Sequence, residues 1–327
     1  MSVVEFGGDG VYLRSFLKPL EPWLTRPDIT EILINRPHEI WIETNASARM
    51  ERIAVPDLGA TALQRLAAQV ARTNHQGLNR AHPLLSGLLP GGERIQIVAP
   101  PATRAHLAIA IRKHVQVDLD LADYAASGAF DAPRGADDTG DQLRALLDTG
   151  DLQAFFTAAV AARRTILIAG GTSSGKTTFL NALLKQIAPH ERVITIEDTP
   201  EVSLDRPNAL GLVAVRGETG EANVTPEDLL QAALRMRPDR LLLGEMRGVE
   251  AFSFLRAVNT GHPGSISTIH ANSCAGAIEQ VALLALQARV NLGRAEIIAY
   301  AKSVIDIVVQ LRRDASGKRV VGEVVLT

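Results

Sequence analysis

Apolar positions in the first third of the chain recur at two spacings. Short apolar runs predict strands, and the turn sequence Arg36-Pro37-His38 between the first two runs predicts a β-hairpin. Apolar residues three and four positions apart from residue 60 to 72 predict an amphipathic helix. The predicted strands are residues 30–35, 39–43, 95–98 and 107–112. Together these elements predict a small α+β domain built on an antiparallel sheet.

This pattern stops near Val115, where the sequence becomes rich in Asp, Gly and Ala. Residues 131–140 are the centre of this stretch and predict a linker. Helical spacing returns at residues 143–162, which lead into the next strand. The predicted organisation is an N-terminal α+β domain at residues 1–130, a linker at 131–145 and a larger domain at 146–327.

The second half of the chain alternates continuous apolar runs with helical segments, which is typical of an α/β fold with a parallel sheet. A helix is predicted to start at Thr225-Pro226-Glu227-Asp228, where a capping hydroxyl precedes proline and two acidic residues. Apolar runs at 303–311 and 319–326 flank a polar turn and predict a closing hairpin. Ligands of open parallel sheets bind beyond the carboxyl ends of strands, so the residues that follow the apolar runs are the candidates for chemistry.

A glycine-rich loop follows the apolar run at residues 165–169 and precedes a helical segment. It has the pattern G-x-x-x-x-G-K-[ST], in which backbone N–H groups surround phosphate oxygens and the helix N-terminus adds partial positive charge. Lys176 would reach the β- and γ-phosphates of a nucleotide, and the Thr177 hydroxyl would bind Mg²⁺. The predicted nucleotide-binding residues are Gly170, Gly171, Thr172, Ser173, Ser174, Gly175, Lys176, Thr177 and Thr178.

Two acidic residues stand at the ends of later apolar runs. Glu197 ends the run at 192–196, and Glu245 ends the run at 240–244. Behind a phosphate loop, such an acid holds the water shell of Mg²⁺ or orients the attacking water. Glu197 is the first choice for the water and Glu245 follows closely, also as a metal ligand. The sequence does not separate their roles.

Two histidines and two arginines complete the candidate set. His262 and His270 lie in and beyond a Gly-rich segment, and both are assigned to phosphate sensing, His262 as a nucleotide contact and His270 as a catalytic group. A metal role is disfavoured because no acidic or cysteine cluster accompanies them. Arg94 and Arg112 each lie at one end of a predicted strand. By residue chemistry alone, each is an ordinary solvated arginine.

Composition excludes or disfavours several kinds of partner and site. A chain of 327 residues fits two domains, and 34 Lys and Arg against 36 Asp and Glu give a net charge of −2, which disfavours direct nucleic-acid binding. The single cysteine, Cys274, excludes an intramolecular disulfide and a four-cysteine zinc site. No apolar run reaches the roughly 20 residues that span a bilayer, and the N-terminus lacks the features of a signal peptide. We therefore expect a cytoplasmic protein that reaches a membrane only through partners.

These motifs together resemble the secretion superfamily of traffic ATPases, and most closely the VirB/Tra-type ATPases of type IV secretion and conjugation machines. The resemblance runs from about Ile29 to the C-terminus. It rests on the phosphate loop, an acidic box at 196–201, a second nucleotide motif at 240–248, a histidine box at 260–272, and N-terminal stretches at 31–37 and 89–96.

The resemblance implies a homohexameric ring whose subunits have an N-terminal domain and a RecA-like P-loop NTPase domain, with ATP bound between them. It also implies that Arg94 and Arg112 are catalytic residues that reach the γ-phosphate. The implied function is hydrolysis of ATP to ADP and phosphate, which drives substrate translocation or pilus assembly at the cytoplasmic face of the inner membrane. The implied partners are the inner-membrane components of a type IV secretion system, through which the protein associates peripherally with the membrane.

Three alternatives stay open. A pilus assembly ATPase of the same superfamily is one, although the type II branch usually carries a four-cysteine module that Cys274 alone cannot form. A RecA-like nucleic-acid motor would show a basic channel and turnover stimulated by nucleic acid. A nucleotide-gated structural ring would show little steady-state release of phosphate.

Overall fold

The fold is that of a computed structural model, which describes residues 9–114, 120–126, 128, 130, 139–215 and 221–327. Within these residues the first six strands form one sheet and the following seven form another. No helix of the described residues is long and apolar enough to cross a membrane. The mixed α/β architecture agrees with the predicted fold class.

The N-terminal sheet is antiparallel throughout. Its strands are β1 (Ile29–Ile34), β2 (Glu39–Thr44), β3 (Ser47–Ala54), β4 (Leu84–Leu88), β5 (Arg94–Val98) and β6 (Ala108–Arg112), in the order β3-β2-β1-β6-β5-β4. The predicted hairpin is confirmed, with Ile32 opposite Ile42. Strands β3 and β4 were not predicted, because charged residues interrupt the first and a glycine weakens the second.

Both faces of this sheet are buried, because successive side chains of a strand point to opposite sides. Ile32, Ile40 and Ile109 pack with the helix α3 (Ala60–Thr73), which confirms the helix predicted at 60–72. Leu33 and Trp41 face the other way and join the core of the C-terminal half. Before the sheet lie α1 (Asp9–Leu17), a 3₁₀ turn (Lys18–Leu20) and α2 (Glu21–Leu24).

The region between the sheets differs from its prediction. Residues 131–138, the centre of the predicted linker, lie outside the described residues, and the domain boundaries stay a prediction. The remainder of that linker is helical, and the single helix predicted at 143–162 is two helices. Gly150 has a φ of 77°, and the Asp151 side chain accepts a hydrogen bond from the Ala154 N–H, which starts the second helix. The helices are α4 (Leu121–Ala126), α5 (Thr139–Thr149) and α6 (Leu152–Ala161).

The C-terminal sheet has the order β13-β12-β7-β11-β10-β8-β9. Its strands are β7 (Ile166–Gly170), β8 (Val193–Glu197), β9 (Ala209–Val213), β10 (Arg240–Leu243), β11 (Ile266–Ile269), β12 (Ile307–Arg313) and β13 (Arg319–Leu326). The intervening helices are α7 (Lys176–Leu184), α8 (Pro226–Leu234), α9 (Glu250–Asn259), α10 (Cys274–Leu286) and α11 (Arg294–Val304). All pairings are parallel except the predicted β12–β13 hairpin, which begins at Ile307 rather than at Ser303.

Polar contacts join the two halves at the amino end of β8. Arg192 is fully buried there, and its guanidinium donates to the side-chain oxygens of Asn35 and Asn208 at 2.7 and 2.6 Å. Arg237 pairs with Glu43 of the N-terminal sheet. Since a buried cation is tolerated only when it is hydrogen-bonded, these contacts hold the two halves in one arrangement.

Candidate nucleotide-binding site

The phosphate loop joins β7 to α7 as predicted. Gly175 has a φ of 97°, a left-handed conformation that glycine adopts without strain, and it directly precedes the first residue of the helix. Gly170 lies against the neighbouring strand, so that a Cβ there would stand 2.7 Å from the carbonyl oxygen of Leu311. Both glycines are therefore required by the backbone path that curls the loop around a phosphate-sized space.

The loop opens into a cleft of about 490 Å³ at the carboxyl ends of β7, β8, β10 and β11. Because these strands are parallel, the residues that end them meet at the same edge of the sheet. Gly170, the last residue of β7, does not line the cleft, although the loop residues that follow it do. The predicted residues that line it are Gly171, Thr172, Ser173, Ser174, Gly175, Lys176, Thr177, Thr178, Glu197, Glu245 and His270.

Lys176 is the cation at the base of this cleft. Its ammonium donates to the carbonyl oxygens of Gly170 and Gly171 at 2.9 and 3.2 Å. Burial lowers the pKa of Lys176. A phosphate group within reach would satisfy this desolvated ammonium better than two neutral carbonyls do.

The oxygen atoms beside Lys176 suit a hard cation. The Thr177 hydroxyl donates to a carboxylate oxygen of Glu201 at 3.0 Å, and Glu245 lines the opposite wall of the cleft. Mg²⁺ takes oxygen ligands, keeps several waters and shares phosphate oxygens, so one hydroxyl and one or two carboxylates fit it. The described residues contain no group of three or more His, Cys, Asp or Glu side chains that would form a metal site without a nucleotide.

The side chain of Glu197 has several hydrogen-bond and ion-pair partners. Its carboxylate pairs with Arg104, accepts from the Thr195 hydroxyl at 3.2 Å and accepts from the N–H groups of Glu201 and Val202, both at 2.8 Å. Its side chain is only 3% exposed. A carboxylate so engaged has few lone pairs left for a water molecule, so the choice of Glu197 for the attacking water stays a prediction that this geometry does not favour.

Glu245 has a different environment. One carboxylate oxygen accepts from Arg247 at 2.7 Å, the other lies 3.0 Å from Nε2 of His270, and the side chain is 19% exposed to the cleft. The hydrogen bond to Glu245 raises the pKa of Arg247, which also lies 3.4 Å from Asp198. The structure thus brings Glu245 and His270 together in a position that faces the phosphate loop.

His262 is separated from this site. His262 precedes β11 and His270 follows it, so the two histidines lie at opposite ends of that strand. The Nδ1 of His262 lies 2.9 Å from the carbonyl oxygen of Ala257, and the residue does not line the cleft. The predicted contact between His262 and the nucleotide has no support within this chain. Proximity in sequence was misleading because a strand of four residues spans ~13 Å.

Arg94 and Arg112 also lie away from the cleft of their own chain. They face each other across β5 and β6, at the far end of this hairpin from its connecting loop. Arg112 is 71% exposed and lies 3.5 Å from the carboxylate of Glu31. Neither arginine lines the cleft.

The sequence reasoning missed five charged residues at or beside the site, which are Arg104, Asp198, Glu201, Arg247 and Arg319. Glu201 and Arg247 stand within the stretches that carry the family resemblance, so these stretches were the available signal. Arg319 of β13 lines the cleft and passes close to Gly175. Arg104 comes from the loop between β5 and β6. No local pattern marks either arginine, because both reach the site through the packing of distant segments.

With this geometry established, comparison with known proteins decides the family. The model of the family described as Type II/IV secretion system protein matches residues 141–319, more than half of the chain. The chain belongs to this family. Individual relatives are similar over 84% and 91% of this chain, so the relationship extends beyond the phosphate loop.

The type IV secretion system protein VirB11 of Brucella suis is 43% identical over 281 residues, covering 84% of this chain and 77% of the relative. The PtlH homolog of Bordetella bronchiseptica is 42% identical over 309 residues, covering 91% and 90%. A crystal structure of the VirB11 ATPase of the Brucella suis type IV secretion system, in complex with sulphate, superposes with a TM-score of 0.89 at 38% identity. That match covers 97% of this chain and 95% of the other. The fold and the family therefore agree with the resemblance inferred from the motifs.

Proposed function

We propose that this protein hydrolyses ATP to ADP and phosphate. The observation that carries the proposal is the arrangement of Lys176 and Thr177 on one wall of the cleft, opposite Glu245 and His270 on the other. Phosphoryl transfer needs positioned cations and an oriented water more than it needs covalent chemistry from the protein. The cleft supplies a cation, Lys176, and a carboxylate, Glu245, that can orient the water.

Each residue has a distinct task in this proposal. Backbone N–H groups of the loop and the Lys176 ammonium bind the phosphates, and the Thr177 hydroxyl with a nearby carboxylate would hold Mg²⁺, which neutralises developing charge. Glu245 orients the attacking water, because its side chain is 19% exposed against 3% for Glu197, and its carboxylate has fewer hydrogen-bond partners than that of Glu197. His270 keeps the Glu245 carboxylate in position through its Nε2.

The biological setting follows from the relatives. VirB11 and PtlH are named as type IV secretion system proteins. We propose that hydrolysis drives substrate translocation or pilus assembly in such a system, with the protein in the cytoplasm and held at the inner membrane by its partners. Sequence identities of 43% and 42%, over 77% and 90% of these two relatives, support a shared role.

A homohexameric ring is part of this proposal. Arg94 and Arg112 do not line the cleft of their own chain, and about 13 Å of strand β5 separates them from the β5–β6 loop. In a ring, the same arginines of a neighbouring subunit could reach the γ-phosphate and stabilise the charge that develops on it. The site would then be completed only by assembly.

The test of the proposed function separates binding from turnover. We expect Lys176→Ala to lose both ATP binding and phosphate release, since the phosphates lose the buried cation of the loop. Glu245→Gln should retain binding while kcat falls at least ~100-fold, because the amide keeps the shape of the carboxylate but orients water poorly. Steady-state phosphate release and equilibrium binding of a fluorescent ATP analogue measure the two effects. Unchanged turnover in both variants would refute the assignment of this cleft.

A further inference from the structure

The loop between β5 and β6 of the N-terminal sheet is hydrogen-bonded to the edge of the C-terminal sheet. The Val213 N–H donates to the carbonyl oxygen of Ala102 at 2.9 Å, and the Arg104 N–H donates to that of Gly211 at 3.2 Å. Thr103 forms an antiparallel bridge with Leu212. The loop thus adds a short strand beside β9, and its backbone has a defined position relative to the nucleotide cleft.

This backbone position delivers the Arg104 side chain to the acidic box. Its guanidinium pairs with Glu197 and donates to the carbonyl oxygen of Val202 at 2.7 Å. The side chain crosses β9 directly over Gly211, where a Cβ would stand 2.5 Å from the Cδ of Arg104. A residue larger than glycine at 211 would therefore displace the arginine from its path.

The contacts of Glu197 continue from Arg104 to the phosphate loop. Glu197 accepts the N–H groups of Glu201 and Val202, and the Glu201 carboxylate in turn accepts the hydroxyl of Thr177. Each step is a direct hydrogen bond between neighbouring groups. A movement of the N-terminal loop would therefore change the position of Glu197 and of the segment that reaches the loop of the nucleotide site.

We infer that Arg104 is a positioning residue that couples the N-terminal half to the nucleotide site by fixing the Glu197 carboxylate. This inference rests on the proposed ATPase function. Arg104 itself does not line the cleft and needs no contact with the nucleotide. Its role differs from that proposed for Arg94 and Arg112, because it acts within one chain and through an acidic residue.

The experiment replaces Arg104 with methionine, which keeps much of the unbranched stem but removes the guanidinium, and with lysine, which keeps a charge. We expect Arg104→Met to lower kcat roughly tenfold to hundredfold, as for loss of one charge-assisted hydrogen bond, while KM for ATP changes less than about threefold. Arg104→Lys should recover part of kcat. In the Glu197→Gln background, Arg104→Met should have little further effect, because the ion pair is already lost.

Arg36→Met is the matched control, since Arg36 also joins the N-terminal half to the edge of the C-terminal sheet, through the carbonyl oxygen of Pro207 at 3.1 Å. It should leave kcat and KM unchanged. Thermal unfolding of every variant establishes that the compared proteins are folded. Should the effects of Arg104→Met and Glu197→Gln multiply, or should Arg104→Lys match Arg104→Met, the inference is overturned while the ATPase function stands. Absence of turnover in the wild type would overturn both.

Discussion

Glu31 shows how the surroundings of one side chain set its ionisation. It lies on β1, is 5% exposed, and burial raises its pKa to about 7. Arg112 lies 3.5 Å away and opposes this shift, but its own side chain is 71% exposed, so water screens the attraction. Glu43 adds a like charge from the neighbouring strand and acts in the same direction as burial. Desolvation therefore raises the pKa of Glu31 by more than the attraction of Arg112 lowers it.

This environment makes stability depend on pH in a defined direction. Between pH 4.5 and about 7 the unfolded chain releases the Glu31 proton while the folded protein keeps it, so the contribution of Glu31 to stability falls as the pH rises. We expect Glu31→Gln to remove this loss of folding free energy, which is on the order of 3 kcal/mol at a pH well above 7. The difference in unfolding temperature between variant and wild type should grow in favour of the variant from pH 5 to pH 8. The exposed Glu51→Gln serves as control, and a difference that does not change with pH would contradict the prediction.

At the scale of single elements, α8 begins where the sequence predicts. The Thr225 side chain accepts from the Asp228 N–H at 3.1 Å, and the Asp228 carboxylate accepts from the Thr225 N–H at 2.9 Å. This reciprocal pair is a capping box, and Pro226 follows as the first helical residue. Pro226 also lines the cleft, so the cap fixes part of the site.

We expect Thr225→Ala to lower the free energy of unfolding by about 1 kcal/mol, because the Asp228 N–H at the start of α8 loses its side-chain acceptor. Thr157→Ala is the control: this threonine donates to a backbone carbonyl within α6, is exposed, and makes no cap. Alanine is the better helix former there, so the control should be neutral or slightly stabilised. Urea denaturation measures both variants, and equal effects of the two would refute the role of the cap.

At the scale of the whole molecule, the two ends of the hairpin β5–β6 have different surroundings. Its loop brings Arg104 to the acidic box of the same chain, whereas its other end holds Arg94 and Arg112 on the surface. Because the loop end of the hairpin lies beside the acidic box, its other end stands about 13 Å of strand away from that box. This geometry is the reason for assigning the second pair of arginines to a neighbouring subunit.

We expect Arg94→Ala and Arg112→Ala to bind ADP normally and to hydrolyse ATP slowly, while Arg65→Ala, an exposed arginine of α3, has no effect. Native mass measurement with Mg-ATP should give six times the mass of the chain for each protein. Mixing the slow variant Arg94→Ala with the inactive variant Lys176→Ala should raise turnover above that of either protein alone, because a mixed ring contains sites with both groups intact. Failure of every mixture to regain activity, or an active monomer, would exclude a contribution from the neighbour.

The motifs of the nucleotide site were predictable because each occupies a continuous segment. The phosphate loop needs glycine, lysine and threonine at fixed spacing, so Lys176 and Thr177 were placed from the sequence alone, as were the strand ends that carry Glu197 and Glu245. Backbone geometry within a few residues determines such features. The alternating pattern of strands β1, β2, β5 and β6 was predictable for the same reason.

The tertiary structure alone decided what each of these residues contacts. It saturated the carboxylate of Glu197 with Arg104 and two N–H groups, left Glu245 open to the cleft, and placed His262 at the opposite end of β11 from His270. Arg104 stands 93 positions before Glu197 in the chain. No local pattern connects them, because their contact depends on how two independently formed sheets pack together. Sequence spacing determines which groups stand at a strand end, and packing between distant segments determines which of those groups remain free to react.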